Sequence, residues 1–338
     1  MRLKILAAII LCVVLGYVLF WYYMAGELED RVEDWSDQQK SQGISVGFAD
    51  SEIAGFPYRL ELSFKNLKVI KTGQDELPVL FTSPRITYIA FPWRISHGVI
   101  VSEGGGLRIG RRRHPEMLMG FGKSRASLVM DPVSGEFQRA SFVLAGVTWA
   151  AGQNARNQEP SRAGEVKLHL MRPASAGQSN EMELPVQMKL YLEVNELDLM
   201  RTDFEDKLEQ VKIDLQLHGE EFPGYSRESL ALWRDHGGTL AVKNIAVTSG
   251  DMDIELGGEV TLDQDLKPLG AFSAKLHAAA LATYPLFQGA PGKLILQELD
   301  SMRQQQGDKE TVDLAISLQG GLLYFGSIPV YELAPIVE

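Results

Sequence analysis

An uncharged apolar run near the N-terminus constrains this chain more than any other feature. Residues 5–23 read ILAAIILCVVLGYVLFWYY and contain no charged side chain. An α-helix rises about 1.5 Å per residue, so about 20 apolar residues cross the ~30 Å hydrocarbon core of a bilayer. The run therefore predicts a transmembrane helix, with residues 1–24 forming a short cytoplasmic tip and a signal anchor.

Charges on the two sides of the run predict its orientation. Arg2 and Lys4 precede it, and carboxylates follow it at Glu27, Glu29, Asp30, Glu33 and Asp34. Basic residues beside a membrane helix favour the cytoplasmic side. The N-terminus is therefore expected in the cytoplasm, and the bulk of the chain on the opposite side of the membrane.

Two alternatives to an uncleaved anchor fit the N-terminus less well. A cleaved signal peptide has a shorter apolar segment and a small-x-small cleavage site, for which Ala25-Gly26 is a poor candidate. A lipoprotein would carry its lipid on Cys12, the chain's only cysteine, but bulky Leu11 precedes it and the apolar segment before it is short. Because the cysteine lies inside the span, the rest of the chain has no disulfide and no cysteine-based metal site.

The helical pattern continues beyond the membrane segment. Leu28, Val32 and Trp35 recur at helical spacing among acidic residues, which indicates one apolar face. Gly43 is suited to follow the helix, because glycine is favoured just after helix C-termini. Residues 25–43 are therefore predicted to form a helical stalk.

From residue 44 onward the apolar period changes from the helical value to the strand value. Leu60, Leu62 and Phe64 alternate with polar residues, as in a half-buried strand. After Asn66 the apolar parity shifts to Leu67 and Val69, which predicts a bulge or a turn. Similar alternation recurs along the chain at residues 85–91, 97–103, 126–131, 142–149, 165–171, 185–197, 210–219, 239–247, 251–262, 272–278 and 312–326.

Short connections rich in Gly, Pro, Asn and Asp join these segments. Together, the segments and their connections predict a mainly β body over residues 44–338. The expected fold class is a long, curved antiparallel meander sheet, open as a trough or closed as a sandwich. Two short helices are predicted, one at residues 226–236 with Ser226 as its cap and one at residues 292–305. Two halves of the body are expected to meet near residues 200–238.

The apolar face of this sheet has two interpretations. In a closed sandwich, the inward Leu, Val, Ile and Phe side chains are simply core. In an open trough, the same side chains line a groove that needs lipid or a protein partner to shield it from water. Strand parity is identical in the two cases, so both interpretations stay open.

Composition and motifs argue against nucleic-acid binding and against catalysis. The formal net charge is −11, whereas nucleic acids attract basic surfaces. Asp251, Asp253 and Glu255 share one face of a predicted strand, which is typical of a hydrated outer face rather than a calcium loop. The glycines at 104–106 precede no helical pattern and so do not form a phosphate loop. We therefore expect no cofactor, no metal site and no catalytic residues.

One basic run is a candidate lipid contact. Arg111, Arg112 and Arg113 are consecutive in a chain that is acidic as a whole. They are either a solvated hairpin tip or a contact for lipid head groups or lipopolysaccharide phosphates.

The segment Gly55-Phe56-Pro57-Tyr58-Arg59 is a candidate corner between the stalk and the sheet. Gly55 permits a turn, and Pro57 suits the first residue of a strand because it lacks an amide donor. Phe56 is expected to plug against the sheet. Arg59 lies on the polar parity of its strand and has no assigned role.

Three stretches give the chain a resemblance to a known family: residues 55–59 (GFPYR), Gly258–Gly270 (GEVTLDQDLKPLG) and residues 326–329 (GSIP). With the N-terminal anchor, their order resembles an uncharacterised family of Gram-negative envelope proteins, domain of unknown function family 2125. The second stretch also resembles AsmA-like envelope proteins. That resemblance implies a β-rich, groove-forming body tied to phospholipid traffic or outer-membrane homeostasis. No catalytic residues are implied by either family.

The expected function follows from the anchor, the sheet and the resemblance. We expect a single-pass inner-membrane protein whose periplasmic β-rich body binds lipid or a protein partner in envelope homeostasis, without catalysis. The alternative is a structural scaffold with a closed β core that uses its outer face for protein contacts. A membrane-tethered hydrolase would need convergent carboxylates or a Ser-His pair in one cleft, and no motif supports one.

Overall fold

A computed structural model describes most of the chain: residues 2–41, 43–73, 77–152, 155–173, 184–200, 207–224, 226–250, 252–277, 290–305 and 311–337. The chain divides into two compact units. The first unit comprises Met1–Phe137 and Phe142–Pro160, and the second comprises Gln138–Ser141 and Ser161–Glu338. Residues 200–238, where two halves were expected to meet, belong to the second unit, and residues 201–206 and 225 among them lie outside the described residues.

The first unit contains a long helix followed by antiparallel strands. Its elements are α1 (Arg2–Ser41), β1 (Ile44–Gly47), β2 (Asp50–Ala54), β3 (Leu60–Lys71), β4 (Val79–Phe91), β5 (Arg94–Ser102), β6 (Gly105–Gly110), β7 (Pro115–Phe121), β8 (Ser124–Met130) and β9 (Phe137–Ala151). A 3-10 turn follows at Ala155–Asn157.

Helix α1 joins the predicted membrane span and the predicted stalk in one continuous element. Its 40 residues extend over about 60 Å at the rise of an α-helix. Among the described residues it is the one helix long and apolar enough to cross a membrane. Gly43 follows it with a φ of +76°, and its amide donates to the Lys40 carbonyl at 3.1 Å, which confirms the predicted glycine stop.

The long strands β3 and β4 organise the first unit, because each pairs with more than one partner. β3 pairs with β2 through its first half and with β1 through its last residues. On its other edge β3 pairs with β4 along its full length. β4 then pairs with β6 near its start and with β5 near its end, and β8 pairs with β5.

The predicted shift of parity in β3 is confirmed at Asn66. This residue has a φ of +53° and is exposed, while Lys65 and Leu67 on its two sides both pair with β4. The register of β3 against β4 is the same on both sides of Asn66, so the parity changes without the predicted bulge or turn. The left-handed conformation of Asn66 instead places Phe64 before it and Val69 after it on the same side of the sheet. The strand therefore presents one apolar face over its whole length.

Within its described residues, the second unit is a run of antiparallel strands, each paired with the next in sequence, together with two helices. Its elements are β10 (Ser161–Met171), β11 (Val186–Leu197), β12 (Leu208–His218), α2 (Arg227–Asp235), β13 (Thr239–Ser249), β14 (Met252–Leu262), β15 (Pro268–His277), α3 (Ala290–Gln305), β16 (Thr311–Gln319), β17 (Leu322–Phe325) and β18 (Ile328–Glu332).

Both predicted helices are present in the second unit. The Ser226 hydroxyl accepts from the Ser229 amide at 3.2 Å and caps α2, as the sequence predicts. Helix α3 packs Ile295 and Leu299 into a buried cluster with Val312 and Leu314 of β16. Strands make up more than half of the described residues, so the predicted class, mainly β with antiparallel strands, few helices and an N-terminal apolar helix, is confirmed.

Candidate functional site

Helix α1 lies against the sheet of the first unit through one stripe of side chains. Trp21, Ala25 and Leu28 are buried at i, i+4 and i+7, and they pack with Leu60 and Leu62 of β3. Both leucines are almost completely buried. The helix is therefore fixed to the sheet at the end of its apolar run.

An apolar cavity of about 780 Å³ lies where α1 continues past this contact. It is lined by the second half of α1 and by one face of β1, β3, β4, β5 and β8, and it is partly open to solvent. Apolar side chains form most of its wall: Leu28, Val32, Val46, Phe48, Leu62, Phe64, Leu67, Val69, Ile86, Ile100 and Leu128. Its volume falls within the range of small-molecule and cofactor sites.

The few polar groups in the cavity wall have partners of their own. The Tyr88 hydroxyl donates to the Ile95 carbonyl at 2.8 Å, and burial raises the pKa of this phenol, which keeps it neutral. Lys40 and Asp37, near the C-terminus of α1, form an ion pair at 2.6 Å. Ser36 completes the lining. The wall therefore favours a ligand made of hydrocarbon.

A second cavity of about 860 Å³ lies nearer the apolar N-terminal part of α1 and is more polar. Leu28 and Tyr88 line both cavities. Arg31, Arg94 and Asp131 also line the second one, and Arg31 pairs with Glu27 at 2.9 Å. Charged side chains, two of them cationic, therefore lie beside the apolar cavity.

The predicted corner at residues 55–59 joins the sheet to α1. The Phe56 ring packs edge-on against Trp21, with ring centroids 5.5 Å apart, and lies 6.5 Å from Tyr22. The plug expected against the sheet thus contacts the helix, because α1 runs beside the turn. Trp21 Nε1 donates to the Arg59 carbonyl at 3.1 Å.

The local geometry of this corner explains its glycine and its arginine. Gly55 has a φ of +98°, and a Cβ there would lie 2.6 Å from the Arg59 carbonyl oxygen. The Arg59 guanidinium pairs with Glu61 and is more than half exposed. The residue left without a role by the sequence therefore contributes its backbone to the joint with α1 and its charge to the surface.

The basic run lies at the other end of the first unit. Arg111, Arg112 and Arg113 are exposed in the connection between β6 and β7. The Gly110 amide just before them donates to the Pro78 carbonyl at 2.9 Å, which places the run near the start of β4. The corner at residues 55–59 lies near the end of β4, because Leu60 pairs with Ala90.

Two polar groupings in the second unit lie on exposed strand faces. Asp253 and Glu255 are exposed on β14, and Asp251 lies outside the described residues. The Ser141 hydroxyl and His169 Nδ1 lie 2.6 Å apart, but on an exposed strand face. Within the part of the chain that the structure describes, no cluster of three or more His, Cys, Asp or Glu side chains is placed to hold a metal ion.

A polar network covers one face of β10 and β11. Glu193 accepts hydrogen bonds from Asn195 at 3.0 Å, from Tyr191 at 2.8 Å and from Lys167 at 3.0 Å. These donors, with Asn195 contributing most, lower the pKa of Glu193 to about 2. The network stabilises the carboxylate without leaving it free to react, so its effect is structural.

The cavity was not visible in the sequence, because its wall combines residues from α1 and five strands. One signal for it was present: the parity shift at Asn66 keeps Phe64 and Val69 on the same face. The register of the other strands against β3 then decides which side chains complete the wall.

The chain matches the model of a known protein family. The model of a family described as "Uncharacterized protein conserved in bacteria (DUF2125)" matches residues 21–334. No curated protein matches the chain. The match covers both units and does not extend the resemblance to AsmA-like proteins.

Proposed function

Because the chain belongs to domain of unknown function family 2125, an uncharacterised bacterial family, we propose its function from the cavity: it is a membrane-anchored protein that binds a lipid acyl chain. The apolar cavity beside α1 is the observation that carries this proposal. The activity is binding, without a chemical step.

The chemistry of the wall favours an acyl chain over a polar ligand. The described wall is apolar apart from Ser36, the Tyr88 hydroxyl and the Asp37–Lys40 pair, and the latter two are satisfied within the protein. A polar ligand would lose its hydrogen bonds to water without replacement. Burying hydrocarbon contributes about 0.8 kcal/mol per methylene group.

The position of the cavity supports a lipid drawn from the membrane. α1 carries the apolar run at its N-terminal end and lines the cavity at its C-terminal end, with about 28 Å of helix between Trp21 and Lys40. A lipid leaving the bilayer along α1 meets the second cavity first, where Arg31 and Arg94 suit its phosphate. Its chain then reaches the apolar cavity past Leu28.

The charge pattern supports the location. Basic Arg2 and Lys4 before the run and acids after it favour a cytoplasmic N-terminus. We place α1 in the bacterial inner membrane and both units in the periplasm, where lipid binding serves envelope homeostasis. In this orientation Arg111–Arg113 lie far from the membrane that α1 crosses, along the length of β4, so they suit phosphates of another partner better than the head groups of that bilayer.

The test is photo-crosslinking in the full-length protein reconstituted with a phospholipid that carries a diazirine in its acyl chain. Adducts are expected within residues 62–69, where Leu62, Phe64, Leu67 and Val69 line the cavity beyond the bilayer. Val69→Trp narrows the cavity and is expected to reduce these adducts. Lys68→Trp, on the opposite, exposed face of the same strand, is the matched control and should retain them.

Two outcomes contradict the proposal. One is the absence of adducts on residues 62–69 while α1 itself is labelled within the bilayer. The other is equal labelling in Val69→Trp and Lys68→Trp, provided that both variants keep the circular dichroism of the parent. A scaffold with a closed core, the alternative function, predicts the first outcome.

A further inference from the structure

The connections at one end of the first unit come together beside the membrane segment of α1. Leu60 at the start of β3 pairs with Ala90 near the end of β4, and His97 of β5 pairs with Val129 near the end of β8. The β2–β3 turn, the β4–β5 turn and the β8–β9 loop therefore lie at the same end of this sheet. We call them the helix-end loops: residues 55–59, residues 91–94 and residues 131–136.

The helix-end loops expose large apolar side chains to an unusual extent. The exposed fractions are 50% for Phe56, 74% for Tyr58, 49% for Phe91, 61% for Trp93 and 95% for Val133. The Phe91 and Trp93 rings stack on each other, with centroids 5.3 Å apart, and bury neither ring. A cluster of this kind on a protein surface marks an interaction site.

Two of the loops repeat one sequence pattern. Residues 56–59 read Phe-Pro-Tyr-Arg and residues 91–94 read Phe-Pro-Trp-Arg. Each turn combines an amphipathic aromatic ring with a cation. Aromatic rings of this type collect at the head-group level of membranes, and arginine pairs with lipid phosphates.

Contacts with α1 fix the depth of the first loop. Tyr17 donates from its hydroxyl to the Pro57 carbonyl, and Phe56 packs on Trp21 and Tyr22. These helix residues belong to the last part of the apolar run, and Tyr17 lies about 9 Å of helix rise before the end of the run at residue 23. If α1 crosses a bilayer, the loop lies at the level of the outer interface rather than in water.

We infer that the helix-end loops insert into the head-group region of the bilayer that α1 crosses. The occupant of this surface is phospholipid. Three observations support it: the contact of the first loop with the membrane segment of α1, the exposed aromatic rings and the two arginines. The inference rests on α1 as the membrane anchor and does not depend on lipid in the apolar cavity. Insertion orients the first unit so that β3 and β4 stand along α1, away from the membrane.

Site-specific labelling tests the inference in the full chain, because Cys12 is its only cysteine. A Cys12→Ala background receives Tyr58→Cys or Val133→Cys in the helix-end loops. Leu77→Cys is the matched control: it is also exposed but lies at the other end of the β3–β4 hairpin. The 12 residues of β3 separate the two ends by roughly 36 Å.

Each variant is labelled with the same environment-sensitive fluorophore and reconstituted in vesicles of phosphatidylethanolamine and phosphatidylglycerol. Lipids with a nitroxide at the head group or upper acyl chain are expected to quench the labels at positions 58 and 133 but not the label at position 77. Aqueous iodide should quench the label at position 77 more strongly than the other two. Iodide quenching at positions 58 and 133 equal to that at position 77, with no nitroxide quenching, would overturn the inference.

If the nitroxide and iodide quenching patterns are lost while crosslinking to residues 62–69 is retained, this inference fails and the proposed function stands. In that case lipid reaches the cavity without inserted loops. A second measurement controls for a label that perturbs its own loop. Trp93→Asp changes a loop that carries no label, and it should reduce the nitroxide quenching of the label at position 133. An unchanged value would show that the loops do not insert together.

Discussion

In both units a helix covers an apolar sheet face, but the space between helix and sheet is filled in only one of them. In the second unit, α3 places Ile295 and Leu299 directly against Val312 and Leu314, and the cluster is buried. In the first unit, α1 contacts β3 through residues 21–28 and then leaves an apolar cavity of about 780 Å³. The same local pattern thus produces a filled core in one unit and a hollow one in the other.

The side chains on the two helices explain the difference. α3 presents large apolar side chains to the sheet at i and i+4, and these fill the space. The part of α1 that lines the cavity ends in Ser36, Asp37 and Lys40, which cannot enter an apolar interior without cost. A helix with polar side chains at that end cannot fill the space over β3, and the cavity remains for another apolar group.

The largest effect is expected in the closed core. Leu299→Ala removes a fully buried side chain and should lower the free energy of unfolding by about 3 kcal/mol, because it leaves a cavity where packing was complete. Chemical denaturation of the detergent-solubilised protein, followed by circular dichroism, measures this. A loss below about 1 kcal/mol would mean that the α3 interface is not tightly packed and that the two units do not differ in this respect.

Acid should weaken the second unit through Glu193. Its pKa lies at about 2, below the ordinary glutamate value of 4.5, so the stabilisation from its hydrogen bonds is complete above pH 4.5 and is lost as the pH falls towards 2. Glu193→Gln should cost about 2 kcal/mol at pH 7 and should flatten the pH dependence between those values. Unfolding at a series of pH values measures this, and an unchanged slope in the variant would contradict it.

A truncation in the cavity wall should cost much less than one in the closed core. Val69→Ala is expected to lower the free energy of unfolding by less than about 1 kcal/mol, because atoms facing an existing cavity have few partners to lose. The same denaturation experiment on lipid-stripped protein measures it. A cost near that of Leu299→Ala would show that the first unit is as tightly packed as the second.

The smallest effect is expected at the basic run. Replacement of Arg111, Arg112 and Arg113 by Glu should leave acyl-chain crosslinking to residues 62–69 unchanged, because the run lies near the start of β4, away from the helix-end loops. Crosslinking yield in the reconstituted variant, relative to the parent, measures this. A clear loss would instead place the lipid head group at the β6–β7 connection.

Much of the fold was predictable from local signals. The strand period located most strands, the shift at Asn66 was read correctly, and Ser226 and Gly43 marked the ends of helices as expected. β1, β2, β6, β7 and β18 were missed: β1 and β2 are short, β6 and β7 are rich in Gly and Met, and β18 is short and contains Pro329. The contact of Phe56 with α1 was also missed, since it joins residues far apart in sequence.

The apolar span, the strand period and the apolar side of each strand depend on neighbours within a few residues, so they could be predicted from the amino-acid sequence. Whether an apolar face is filled depends on long-range packing, namely on which helix side chains meet that face. Leu299 packs with Val312 and Leu314, whereas Asp37 and Lys40 pair with each other in the wall of the apolar cavity. The alternation of apolar and polar residues along the strands is the same in both units, but the volume left between helix and sheet differs.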